Sequence, residues 1–105
     1  MAEGTAPDPL AGAAELLRAL ASPVRLAAIA ELSVAPRCVH EIQDALAVGG
    51  RQVSQPLLSQ HLKVLRLAGL VTTTRRATEI TYQLADDHVG HIVNDAIRHS
   101  QEDHP

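Results

Sequence analysis

The stretch SQPLLSQHLKVLRLAG, residues 54 to 69, restricts the fold more than any other part of the chain. Ser54 offers a hydroxyl to cap a helix, and Pro56 sits in the first turn, where a missing N–H costs nothing. Gly69 supplies the stop. At about 100° per residue, Leu57, Leu58, Leu62, Val64, Leu65 and Ala68 fill one broad arc, while Pro56, Ser59, Gln60, Lys63 and Arg66 fill the opposite one. One face must pack, and the other offers hydrogen-bond donors and acceptors without a single acid. His61 falls in the apolar arc between Leu58 and Leu65, so it is expected to pack.

What flanks this helix defines the rest. Residues 1–8, rich in Ala, Pro, Gly and acid, read as a disordered arm ahead of one domain over residues 9–105. A first helix is expected over Pro9–Leu20. Ser22 caps a second, opened by Pro23 and running to Leu32, and Pro36 breaks the chain after it. The segment CVHEIQDALAV, 38–48, reads as a short third helix stopped by Gly49 and Gly50. After the long amphipathic helix, LVTTTRRATEITYQL turns to strand chemistry on both sides of a turn near Ala77–Glu79, a hairpin tipped by Arg75 and Arg76. Asp86 or Asp87 then caps a last helix, whose apolar stripe of Val89, Ile92, Val93, Ala96 and Ile97 needs a partner surface. The expected fold is mainly α with a small β-hairpin, in the order α-α-α-α-β-β-α. With no Phe or Trp in 105 residues and Tyr82 as the one aromatic, the core must be aliphatic. A core so small is commonly reinforced by oligomerisation, here through the first and last helices.

A short helix, a turn, a longer helix with a polar face and a basic hairpin make the order of a winged helix-turn-helix, in which the second helix of the motif enters the major groove. Charge agrees with that order. The net charge is −3, yet Arg51 to Arg76 holds five of the nine basic residues and no acid, whereas Asp86 to Pro105 holds five acids against Arg98. Gln55 and Gln60 suit base edges, Ser59 a base or phosphate, and Lys63, Arg75 and Arg76 phosphates, with Ser54 at the helix start. The plain alternative is an ordinary solvated helix face. Cys38 is the one cysteine, which excludes an intrachain disulfide and fits a reducing compartment. It is expected to be buried, with His40 on a different helix face. No apolar run is long enough to span a bilayer and the N-terminus has no signal-peptide pattern, so a cytoplasmic location without membrane contact is expected.

Four of the six histidines lie between Asp86 and the C-terminus. Asp86 and His88 sit at the start of the last helix, and His99 and Glu102 at its end. His99 is eleven residues beyond His88, about 16 Å along the axis and about 20° around it. Donors lie ~2 Å from a zinc ion, so the two pairs cannot meet within one chain. Two copies of the helix packed antiparallel would bring Asp86 and His88 of one to His99 and Glu102 of the other, twice, and bury the apolar stripe in an isologous interface. Two histidines with two carboxylates suit Zn(II), with Co(II) or Ni(II) next by affinity order. His91 and His104 lie outside this set. A solvated acidic tail with scattered histidines is the competing reading.

In ALASPVRLAAIAEL, RCVHEIQDAL, VSQPLLSQHLKVLRLAGLV and the Asp86, His88, His99, Glu102 series, the chain resembles the ArsR/SmtB family of metal-sensing repressors, over nearly its whole length and in the same order. The resemblance extends to the mycobacterial SmtB-type branch. It implies a dimeric repressor that holds operator double-stranded DNA when metal-free and releases it when zinc binds at Asp86, His88, His99 and Glu102. It also implies DNA reading by Gln55, Ser59 and Gln60, and a bond from the second nitrogen of His99 to a backbone carbonyl near Gly69. The pattern departs from the family at three places. Cys38 and Glu41 match part of a second metal site, but residues 1–37 contain no Cys or His to complete it. Gly49–Gln52 reads as an insertion before the recognition helix, and the turn in RRATEI lacks the usual glycine. Two other functions stay open at this point: a repressor switched by Cys38 oxidation or a small molecule, and a zinc-binding interaction module. An enzyme is not expected, since no nucleophile has a base at workable spacing.

Overall fold

The computed structural model describes residues 8–102, so most of the expected N-terminal arm and the last three residues, His104 among them, lie outside the described residues. Asp8, assigned to the arm, instead caps the first helix: its Oδ1 accepts the Leu10 N–H at 2.9 Å. Helix α1 spans Pro9–Leu20 and α2 Pro23–Leu32, the latter capped by Ser22, whose Oγ accepts the Arg25 N–H at 3.3 Å. A two-residue strand β1, Arg37–Cys38, then leads into α3, Val39–Val48. Helix α4 is Gln55–Leu67, strands β2 and β3 are Val71–Arg76 and Glu79–Leu84, and α5 is Asp87–Gln101. The fold is mainly helical with a small antiparallel sheet, as expected, but the sheet has three strands in the order β1-β3-β2. Arg37 and Cys38 pair with Tyr82 and Thr81. Cys38 is therefore the extended residue before α3 (φ −81°, ψ 170°) and not part of the helix.

The core is aliphatic. Ala28 and Ile29 of α2, Ile42 of α3, Leu58, Leu62 and Leu65 of α4, and Val93 of α5 have no exposed surface. Each large side chain among them contributes about 1.5 to 3 kcal/mol by leaving water. The packed arc of α4 is narrower than the periodicity suggests, since Leu57 stays 47% and Val64 38% exposed. The apolar stripe of α5 also divides. Val89, Val93 and Ile97 pack into the chain's own core, where α5 lies on α2 and β3, whereas Ile92 and Ala96 remain exposed. Gly90 makes this approach close, because a Cβ there would come within 3.2 Å of both the Leu84 side chain and the Ser33 Cβ.

Three backbone details set the position of α4. After Gly50 at φ 89°, the Arg51 N–H closes on the Leu46 carbonyl at 2.8 Å, so the inserted glycines finish α3. Val53 is buried, and its carbonyl accepts from Gln43 Nε2 at 2.8 Å, which ties the loop to α3. At the far end Gly69 takes φ 77° and the Leu70 N–H returns to the Leu65 carbonyl at 2.9 Å, a glycine-based helix stop.

Candidate nucleic-acid interface and metal ligands

Ser54 caps α4, its Oγ accepting the Leu57 N–H at 3.3 Å. Gln55, Ser59, Gln60 and Lys63 follow on the outer face, all exposed, opposite the buried Leu58, Leu62 and Leu65. The face singled out from periodicity is thus presented to solvent. Arg75 and Arg76 lie exposed at the end of β2, opposite Ile80 and Glu79. The turn between them places Ala77 at φ 54°, the one left-handed non-glycine position among the described residues. His61 is half-buried, as its place in the apolar arc suggested. Burial, then the nearby Arg25 charge, lowers its pKa below the ordinary histidine value.

Between α4 and the hairpin runs an open cleft of roughly 420 Å³, lined on one side by Gln55 and Ser59 and on the other by Thr78, Glu79 and Ile80, with Cys38, His40 and Tyr82 between. Cys38 and His40 therefore share a cleft, although helical spacing put them on different faces. The spacing argument fails because Cys38 precedes the helix in extended conformation. The Cys38 N–H donates to Glu41 Oε1 at 2.9 Å, so Glu41 serves the start of α3. Cys38 is 7% exposed, and burial raises its thiol pKa above the ordinary cysteine value. Nothing in the sequence pattern alone marked Thr78 and Tyr82 as neighbours of Gln55. The pairing of β1 with β3 produces that proximity.

The candidate metal ligands fall into two pairs at opposite ends of α5. Asp86 is its N-cap, with Oδ1 accepting the N–H groups of His88 at 2.9 Å and Val89 at 3.3 Å. His88 Nδ1 stands 3.5 Å from the same oxygen, and His99 Nδ1 stands 3.8 Å from Glu102 Oε1. All four side chains are more than half exposed. Among the described residues no three His, Cys, Asp or Glu side chains of one chain are grouped to hold an ion. Histidine nitrogen and carboxylate oxygen are donors that zinc accepts, and the chain places two such donors at each end of α5.

Over 101 residues the chain is 54% identical to the HTH-type transcriptional repressor SmtB of Mycobacterium tuberculosis, covering 93% of this chain and 71% of that protein. The chain belongs to the ArsR/SmtB family. Residues 22–73 match the family described as bacterial regulatory protein, arsR family. The HTH-type transcriptional regulator NmtR of M. tuberculosis is 36% identical over 91 residues, 87% of this chain and 72% of that one. Among solved structures, HlyU from Vibrio cholerae superposes with a TM-score of 0.77 at 31% identity, covering 92% of this chain and 100% of that chain. The transcriptional repressor BigR from Xylella fastidiosa gives 0.76 at 32% identity, covering 90% and 91%. This ArsR/SmtB chain is accordingly a winged helix-turn-helix, DNA-binding transcriptional repressor and not an enzyme. Among its described residues no helix is long and apolar enough to cross a membrane.

Proposed function

We propose that this repressor senses zinc. As a metal-free homodimer it binds operator double-stranded DNA through Gln55, Ser59, Gln60 and Lys63 of α4, with Ser54 at the helix start and Arg75 and Arg76 on backbone phosphates. It leaves the operator when Zn(II) is held between Asp86 and His88 of one copy and His99 and Glu102 of the other. The observation that carries the reading is the division of α5 into two donor pairs, His88 with Asp86 at 3.5 Å and His99 with Glu102 at 3.8 Å, one at each end of a fifteen-residue helix. Each pair is half of a tetrahedral shell, and an antiparallel second copy supplies the other half. Zinc bound there would supply a cross-link between the two α5 helices.

The protein's own groups provide a route to the DNA face. The Ala85 N–H, one residue before Asp86, donates to the Leu70 carbonyl at 3.0 Å, and Leu70 is itself bonded to the end of α4. Helix α2 packs against both α5 and α4. The start of α5 therefore has a backbone path to the end of the recognition helix, and α5 as a whole has a packed path through α2. In a cell such a repressor works in the cytoplasm, where the DNA is. The deciding experiment is a zinc titration of the chelated protein followed by promoter-DNA binding with and without the metal. The expected result is one zinc per chain and weaker DNA binding at saturation. Unchanged DNA affinity at full zinc occupancy would sink the reading.

A further inference from the structure

We infer that His40 is a further DNA-contacting residue, donating from its imidazole to the sugar-phosphate strand at the edge of the cleft between α4 and the hairpin. The inference rests on the assignment of Gln55 and Ser59 to the DNA-facing surface. His40 is exposed, is the second residue of α3, and lines the same cleft as those two side chains. Its place there is held from three directions. The pairing of β1 with β3 fixes the start of α3 to the hairpin, the Cys38 to Glu41 bond at 2.9 Å caps it, and the Gln43 to Val53 bond at 2.8 Å ties α3 to the segment leading into α4.

In a helix-turn-helix the second helix lies in the major groove while the first crosses the backbone. A donor at the start of α3, beside the first residue of α4, is therefore placed for phosphate and not for a base edge. Ser59, Thr78 and Tyr82 around it carry hydroxyls able to donate to phosphate oxygens, and among the described residues the one acid of this cleft, Glu79, sits in strand register with the basic Arg76.

The test uses a duplex selected by the intact chain from a randomised library, titrated with wild type, His40→Ala and His40→Gln. His40→Ala is expected to weaken binding roughly three- to tenfold, the range for removal of one hydrogen bond, and His40→Gln to recover most of it. The loss should vanish on a duplex carrying a methylphosphonate at the one contacted phosphate. Thermal melting of His40→Ala should match wild type, because the side chain is exposed. Equal binding by wild type and His40→Ala overturns the inference, and so does a loss that survives methylphosphonate substitution at every phosphate. If the intact chain selects no duplex, the DNA-face assignment falls first and this inference with it.

Discussion

Asp86 is the N-cap of α5 and, in the proposed function, a zinc ligand, and separate variants can tell the two roles apart. Its Oδ1 accepts the His88 and Val89 N–H groups at 2.9 and 3.3 Å, which leaves Oδ2 for a metal ion. Asp86→Asn keeps a capping oxygen and should preserve stability while weakening zinc by more than about 100-fold, beyond the roughly 10- to 100-fold that loss of an outer-sphere partner costs. Asp86→Ala should lose zinc equally and also about 1 kcal/mol of stability. Denaturant melts of the chelated variants, beside zinc titrations, check both. At the hairpin tip, Ala77 at φ 54° holds a conformation costing an L-residue about 1 kcal/mol or more. Ala77→Gly should therefore raise stability by somewhat less than that, since glycine also gains entropy in the unfolded chain, and a denaturation midpoint reads it. His61 gives the chain a pH-dependent stability. Burial, then Arg25, lowers its folded pKa below the unfolded value of about 6.5, so the unfolded chain takes up the proton first as pH falls. Its contribution is complete above about 6.5 and is lost as pH falls through the lower folded value. As pH falls through that window, the melting temperature of wild type should drop relative to that of His61→Gln, and a flat difference would exclude the His61 contribution.

Elements were legible in the sequence wherever the chain marks its own boundaries. Ser22–Pro23, Ser54–Pro56 and Gly69 each pair a cap or stop with a periodic apolar pattern, and α1, α2, α4 and the hairpin lie where those signals put them. β1 was invisible because two residues carry no periodicity, and its partners Thr81 and Tyr82 lie more than forty positions away. The narrowing of the α4 arc and the split of the α5 stripe were hidden for a related reason: periodicity names an apolar face but not the neighbours that cover it. Val89 and Val93 are covered by α2 and β3, whereas Ile92, on the same stripe, is 40% exposed. The placing of Asp86 with His88 and of His99 with Glu102 at opposite ends of α5 was legible because separation along a helix follows from residue number alone. For α4 and the hairpin the expected functional division is between discrimination and affinity. Replacing Arg75 and Arg76 by Ala should weaken all duplexes alike and reduce the salt slope by about 0.9 for each phosphate no longer neutralised. Gln60→Ala should instead lower preference among sites, by about 1 to 3 kcal/mol if it makes a bidentate base contact. Binding of matched and mismatched duplexes across a salt series distinguishes the two, and an unchanged site preference in Gln60→Ala would shift the reading residue elsewhere on α4.

At the scale of the whole molecule, apolar surface stays uncovered on the two helices expected to pair. Leu10 and Leu17 of α1 are 78% and 55% exposed, and Ile92 of α5 is 40% exposed, in a chain whose core has no large aromatic side chain. The proposed homodimer, if it buries these residues, is expected to form without metal. Sedimentation of the chelated protein should show a dimer at micromolar concentration, and Leu17→Glu should shift it toward monomer while leaving the buried core untouched. In the proposed function zinc acts on an assembly already formed, and its effect is a coupling between two ligands of one dimer. Such coupling is reciprocal: DNA must weaken zinc by the same factor by which zinc weakens DNA, typically ~1 to 3 kcal/mol. The start of α5 reaches the end of α4 through the Ala85 to Leu70 bond at 3.0 Å, and the helix as a whole packs on α2, which packs on α4, so a variant can keep the metal and lose the message. His99 is the residue to change, because it closes the far pair with Glu102 while Asp86 and His88 hold the near one. A His99 variant that still takes up zinc should bind promoter DNA like wild type when chelated and release little of it when zinc is added. In the wild type, zinc affinity measured with saturating promoter DNA should fall by the factor seen in the DNA titrations, and equal zinc affinities with and without DNA would exclude a coupled switch.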